Sequence, residues 1–281
     1  MSVVTFWSNE KNETAQTLSL AAVATQMAIE HNYKILVIST KPNDNTMEAC
    51  FWDLTRENNL IKDINGNPNK IGLDSGIDGL AKTLASNRTT PSIVTNYTKI
   101  VFRERLEILP ASYAKSEKEQ EELKNDFINI IKIANKYYDI IFVDLTKGLQ
   151  ENFQREILES SDVIVSNLTQ RPRTLFDYAQ LREKEDFLKK KNVILLIGRY
   201  DRFSKYNSRN IAKLYKQRRE PCVVPYNTLF FEACGEGKIV DLFLRLRTLQ
   251  SPDDKNVLFA KDVNNTVETI IYKIQEAQMK I

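Results

Sequence analysis

The chain has 281 residues, 42% of them hydrophobic, enough to bury a substantial core in one large α/β domain or two small ones, and a single domain over 1–281 is the expected arrangement. Its net charge of +3 is the small difference between 40 basic and 37 acidic side chains, so the total charge by itself names no nucleic-acid partner. Cys50, Cys222 and Cys234 lack metal-ligand spacing, and with His31 as the single histidine they exclude a Cys/His metal site and point to a reducing, cytoplasmic setting. There is no basic-then-apolar leader and no run of about 18 apolar residues, so neither secretion nor a membrane span is expected, while a polar or peripheral location stays open.

In chain order, residues 3–7 form a short apolar strand, 8–16 a polar loop, and the Ala-rich stretch to Ala28 a helix able to pack all round. That strand-loop-helix order is the one a phosphate-binding turn requires. The loop nevertheless contains no glycine, and the first glycine of the chain is Gly66. A phosphate cradle uses glycines because the backbone amides must touch the anion without a Cβ in the way. Residues 33–40 read as a buried parallel strand running into Ser39-Thr40-Lys41-Pro42. A helix over 47–60 carries Phe51 and Trp52, 65–69 is a loop, and 72–86 holds a helix with a Ser75/Asp78 cap pattern and Ile77, Leu80, Ala81 and Leu84 on one side. A short helix at 91–97 and a strand at 106–110 follow.

The helix over 117–136 turns Phe127, Ile130, Ile131 and Ala134 inward and delivers the chain to 138–144, an apolar strand ending in Asp144. Strands at 162–167, 193–200 and 223–227 alternate with helices, the first running through Leu188 and a short one lying near 231–240. The segment 264–281 spaces Val267, Ile270, Ile271, Ile274 and Ile281 at helical intervals. Its polar face, with Glu268, Lys273, Glu276 and Lys280, is balanced rather than basic, which favours core packing over membrane contact. The alternation predicts a doubly wound, mostly parallel β-sheet flanked by helices, with its ligand edge where strand ends collect.

The block 3–28, the acid-ended strand at Asp144 and the Pro225-Tyr226-Asn227 turn resemble the ParA/MinD group of P-loop ATPases, whose deviant Walker A motif reads roughly K-G-G-x-G-K-T. The resemblance puts Lys11 on the signature lysine, Asn12 and Glu13 on the glycine pair, Thr14 between, Ala15 on the third glycine, Gln16 on the phosphate lysine and Thr17 on the metal-binding hydroxyl, with Leu18 opening the helix. It implies nucleotide contacts from 11–18 and from Pro225 and Tyr226, with ATP as cofactor and one Mg²⁺ shared by Thr17 and Asp144. The chain departs from the family at decisive places. Glu13 would face phosphate across about 4 Å with a repulsion of roughly 4 kcal/mol at an effective dielectric near 20. The family's D-x-D-P has become Ser39-Thr40-Lys41-Pro42, leaving no evident base for the attacking water. Gly198 stands where relatives often carry an adenine-contacting asparagine.

Two functional expectations result. The first is a positioning or scaffold protein with weak or no ATP hydrolysis and no catalytic residue, similar to the TadZ/CpaE branch, dimeric through Lys11, with a partner in pilus assembly or in a partition or conjugation system. The second is a slow DNA-dependent partition ATPase using Lys11 and Asp144. DNA would then meet the basic run Arg199, Arg202, Lys205, Arg209, Lys213, Lys216, Arg218 and Arg219, which also reads as a solvated face.

Overall fold

Short apolar runs bounded by polar turns become strands buried on both faces: β1 (Ser2–Trp7), β2 (Ile35–Ser39), β4 (Leu106–Leu109), β5 (Ile140–Leu145) and β6 (Val163–Leu168), joined by β3 (Lys99–Phe102), β7 (Asn192–Tyr200) and β8 (Cys222–Pro225). This computed structural model describes residues 1–10, 14–54, 75–85, 90–113, 117–146, 151–190, 192–215, 217, 219–249, 251 and 253–279. Among them eight strands form one sheet in the order β3-β4-β2-β5-β1-β6-β7-β8. Every pairing is parallel except β3 on β4. That antiparallel edge strand was not expected from the sequence, because four half-exposed residues carry too short a pattern to stand out. β1 sits between β5 and β6, so the chain winds outward from it in both directions and the crevice opens beyond its C-terminal end.

One face of the sheet is covered by α1 (Gln16–Glu30), α10 (Ile239–Leu246) and α11 (Lys255–Gln278), which bury Leu20, Phe243 and Val267 against Val4, Val37 and Phe142. The alanines of α1 let it lie close to its neighbours, and every residue from Ser19 to Ala28 is buried. The other face carries α3 (Gly76–Leu84), α4 (Glu117–Ala134), α5 (Glu151–Ser160) and α6 (Pro172–Lys184) over Leu36, Ile141 and Ile164. Shorter helices α2 (Thr46–Ala49), α7 (Asp186–Lys190), α8 (Ser208–Leu214) and α9 (Thr228–Gly235) and a 3-10 turn, Pro91–Asn96, fill the connections.

Three local expectations are revised. The last helix starts at Lys255 rather than at 264, because Asp254 caps it by accepting from the Asn256 amide at 2.6 Å. Its apolar side, Phe259, Val263, Val267, Ile270 and Ile274, is buried in the core. No described helix is long and apolar enough to cross a membrane. The Asp78 carboxylate does not cap α3; it accepts from the Ser112 hydroxyl at 2.6 Å and the Tyr113 amide at 2.9 Å, tying that helix to the loop after β4. The helix expected over 47–60 is α2 within the described residues, and 55–60 and the 65–69 loop lie outside them.

Candidate functional site

The polar loop after β1 closes onto α1 through Ala15, whose φ of 51° is left-handed and costs an L-residue about 1–2 kcal/mol. A glycine would take that backbone freely. The loop is pressed against β7: a Cβ built on Gly198 would stand 2.0 Å from the Thr14 carbonyl oxygen. Asn167, fully buried at the end of β6, reaches the same spot, donating from Nδ2 to Thr14 O at 3.4 Å and Ser19 Oγ at 3.5 Å. Its Oδ1 has no hydrogen-bond partner among the described residues. Glu10 anchors the front of the loop, accepting from the Thr174 hydroxyl at 2.7 Å and the Thr169 amide at 3.3 Å.

Across the strand ends, parallel register sets Asp144 of β5 beside Phe6 of β1 and Ser39 of β2. Thr17 Oγ1 donates to Asp144 Oδ2 at 2.7 Å and Gln16 Nε2 to Asp144 Oδ1 at 2.6 Å. Gln16 Nε2 also points at the carbonyl oxygens of Phe6 and Leu145, each 3.1 Å away. Three acceptors thus converge on an amide nitrogen with two hydrogens, an arrangement that an ammonium with three would satisfy completely. Asp144 is only 3% exposed. Burial pushes its carboxyl above the usual range, and the bonds from Thr17 and Gln16 pull the other way. Thr40 steadies the strand end by donating to Asp144 O at 3.1 Å and accepting from the Thr146 amide at 3.0 Å. Lys41 turns its ammonium onto Asp44 in an ion pair.

On the other side of Ala15 lies a cleft of about 470 Å³, walled by Leu18 and Ser19 of α1, the Pro225–Asn227 turn, and Phe230 and Phe231 of α9. Arg199 also lines it.

Solved structures share this fold. A ParA family ATPase from Chlorobium tepidum superposes with a TM-score of 0.66 at 16% identity, covering 95% of this chain and 97% of that one. The septum site-determining protein MinD from Pyrococcus horikoshii, complexed with Mg-ADP, gives 0.60 at 16% identity over 97% of this chain and 98% of that one. MinD in the MinC:MinD complex of Aquifex aeolicus gives 0.62 at 13% identity, with 96% of each chain covered. This chain has the ParA/MinD P-loop ATPase fold. The sequence itself matches no family model and no curated protein.

Within the ParA/MinD fold the expected site residues separate into three groups. Gln16 and Thr17 meet Asp144, while Ala15 and Leu18 face Pro225 and Tyr226 across the cleft. Thr14 packs under both groups against Gly198. Lys11, Asn12 and Glu13 lie outside the described residues, as do Lys216 and Arg218. A hydroxyl and a carboxylate in contact are a set that Mg²⁺, which keeps several of its waters, can use. The described residues contain no cluster of three or more His, Cys, Asp or Glu side chains able to hold a metal alone. On the phosphate side, position 16 supplies no charge.

The described members of the basic run are all exposed, and three of them have partners. Arg202 pairs with Asp262 at 3.2 Å, Arg209 with Glu220 at 3.4 Å, and the Arg219 guanidinium lies 5.0 Å from the Tyr272 ring centre. Sequence reasoning missed Glu10 and Asn167, and the only signal for either was a polar side chain beside a strand end. Gly198, read as a missing contact, also gives room for the Thr14 carbonyl.

Proposed function

We propose that this chain is a positioning or scaffold protein on the ParA/MinD fold with weak or no ATP hydrolysis, in which any nucleotide with Mg²⁺ is a structural ligand held by residues 11–18, Pro225 and Tyr226. The observation that carries this reading is the Gln16 amide standing where three acceptors call for an ammonium, directly on Asp144. A second one supports it: Ser39, Thr40 and Lys41 end the strand beside Asp144 without a carboxylate, and Lys41 is engaged by Asp44. Without a cation at the transferring phosphate or a base for water, the fold retains binding surfaces and loses chemistry. Its work is then to hold partners, as a homodimer through Lys11 and with a protein of a pilus-assembly, partition or conjugation system, similar to the TadZ/CpaE branch. MinD in complex with MinC is a neighbour of the same fold that binds another protein.

A second reading, a slow DNA-dependent partition ATPase, draws on the intact Thr17–Asp144 pair and on Lys205 and Lys213, both exposed on the basic run. ATP turnover, measured with and without duplex DNA for the unmodified protein and Asp144→Ala, separates the two. Rates that coincide in all four conditions are expected. Turnover that rises with DNA and vanishes in Asp144→Ala would replace the scaffold reading with the second.

A further inference from the structure

Arg199 stands apart from the rest of the basic run. It is exposed, its φ of 51° is left-handed, and the β7–β8 pairing slips at this residue, between Gly198 and Tyr200. A side chain held on strained backbone at a bulge is one that the fold re-aims. It lines both the cleft beside Ala15 and a second cavity of about 690 Å³ around the same Pro225–Asn227 turn. Unlike Arg202, Arg209 and Arg219, it has no hydrogen bond, ion pair or ring contact with a described residue.

Two polar side chains of the cleft, Asn227 and Ser19, are already engaged. Asn227 accepts from the Phe230 amide at 3.0 Å and donates to Asn256 at 2.9 Å, and Ser19 is within 3.5 Å of Asn167. No side-chain amide can enter from position 198, where a Cβ would collide with the Thr14 carbonyl. The walls, Leu18, Pro225, Phe230 and Phe231, suit the faces of a flat ring. Among the residues lining the cleft is Arg199, whose guanidinium has five donors and no acceptor. We infer that the cleft selects a 6-oxopurine nucleotide over an adenine nucleotide, with Arg199 donating to the O6 and N7 acceptors of the base. Adenine offers N7 but sets an amino group against the guanidinium where guanine has O6, so a fork of donors discriminates between them.

The inference rests on reading this cleft as the base site of the proposed structural nucleotide. Calorimetric titration of the full chain with Mg-GDP and Mg-ADP tests it, on the unmodified protein, Arg199→Ala and Arg199→Gln. GDP is expected to bind at least tenfold more tightly than ADP, Arg199→Ala to remove the difference, and Arg199→Gln to turn it toward ADP, since a carboxamide pairs with adenine N6 and N7. Equal or tighter ADP binding by the unmodified protein, a preference that survives Arg199→Ala, or absence of binding by both nucleotides at millimolar concentration would overturn it. Turnover of GTP and ATP is followed in parallel. Rapid hydrolysis alongside a guanine preference removes the scaffold reading alone, and no preference without hydrolysis removes this inference alone.

Discussion

Gln16 decides how the site behaves without a ligand. Its amide fills a nest of three acceptors with one hydrogen too few, and it brings no charge to the Asp144 carboxylate. Gln16→Lys adds both the missing donor and a positive charge, and a hydrogen bond between charged groups is worth about 2 kcal/mol. The thermal midpoint is expected to rise by roughly 5 °C and nucleotide affinity by at least tenfold. The same change made in Asp144→Asn should give no such gain, because the two positions act as one unit. The variant Asp144→Asn carries its own pH signature. Burial raises the Asp144 carboxyl above its ordinary value of 3.8, so between the ordinary and the raised value the folded protein holds a proton that the unfolded chain has released. That contribution to stability is complete below the ordinary value and is lost as pH rises through the raised one. An asparagine can still accept from Gln16 and donate to the Thr17 hydroxyl. Urea unfolding should therefore show Asp144→Asn more stable than the unmodified protein at pH 7, by about 1–2 kcal/mol, with the gap closing toward pH 4. A gap that widens on acidification would show that the carboxylate is the stabilised form.

The strand-loop-helix that carries Gln16 is fixed by packing against β7, and one glycine measures how tightly. Gly198→Ala forces a methyl against the Thr14 carbonyl, a backbone group with no rotamer to yield, and should destabilise by about 2–3 kcal/mol. Gly235→Ala, at the end of α9 with nothing within 4 Å of the added methyl, should be neutral or stabilise by up to about 0.8 kcal/mol. Equal responses at the two positions in chemical denaturation would remove the close loop–strand contact from the account. These elements differ in how far the amino-acid pattern exposes them. β1, β5 and α1 were legible because unbroken apolar runs and an alanine-rich stretch have few other ways to be buried. The closeness of Thr17 and Asp144 was legible because strand order and loop length bring them to one edge. The position of the Gln16 amide was not legible, since a glutamine can turn to solvent or inward and only the acceptors of β1 and β5 decide. β3 escaped for lack of length, and the Asp78 cap pattern misled because Ser112 and Tyr113, distant in sequence, compete for the same carboxylate.

Across the whole molecule, α11 joins the two ends of the chain. It packs on α1 and β8, and the Gln278 amide reaches Ser2 Oγ at 3.2 Å. Phe259, Val263, Val267, Ile270 and Ile274 together face inward, each at most 6% exposed. Full burial of such a side chain is worth about 1.5–3 kcal/mol, so the set contributes on the order of 10 kcal/mol, comparable with the entire stability of an ordinary domain, about 5–15 kcal/mol. Exposing that face to water would demand nearly as much free energy as unfolding. The helix is therefore expected to open only with the sheet. In native-state hydrogen exchange the amides around Val267 should share the slowest class with those of β1 and β5, and Ile270→Ala should lower global stability by about 2–5 kcal/mol and speed exchange in all three elements alike. Flotation with anionic vesicles should leave the protein in the aqueous fraction. Fast exchange confined to α11, or recovery of the protein with the vesicles, would instead mark this helix as a detachable membrane-facing element.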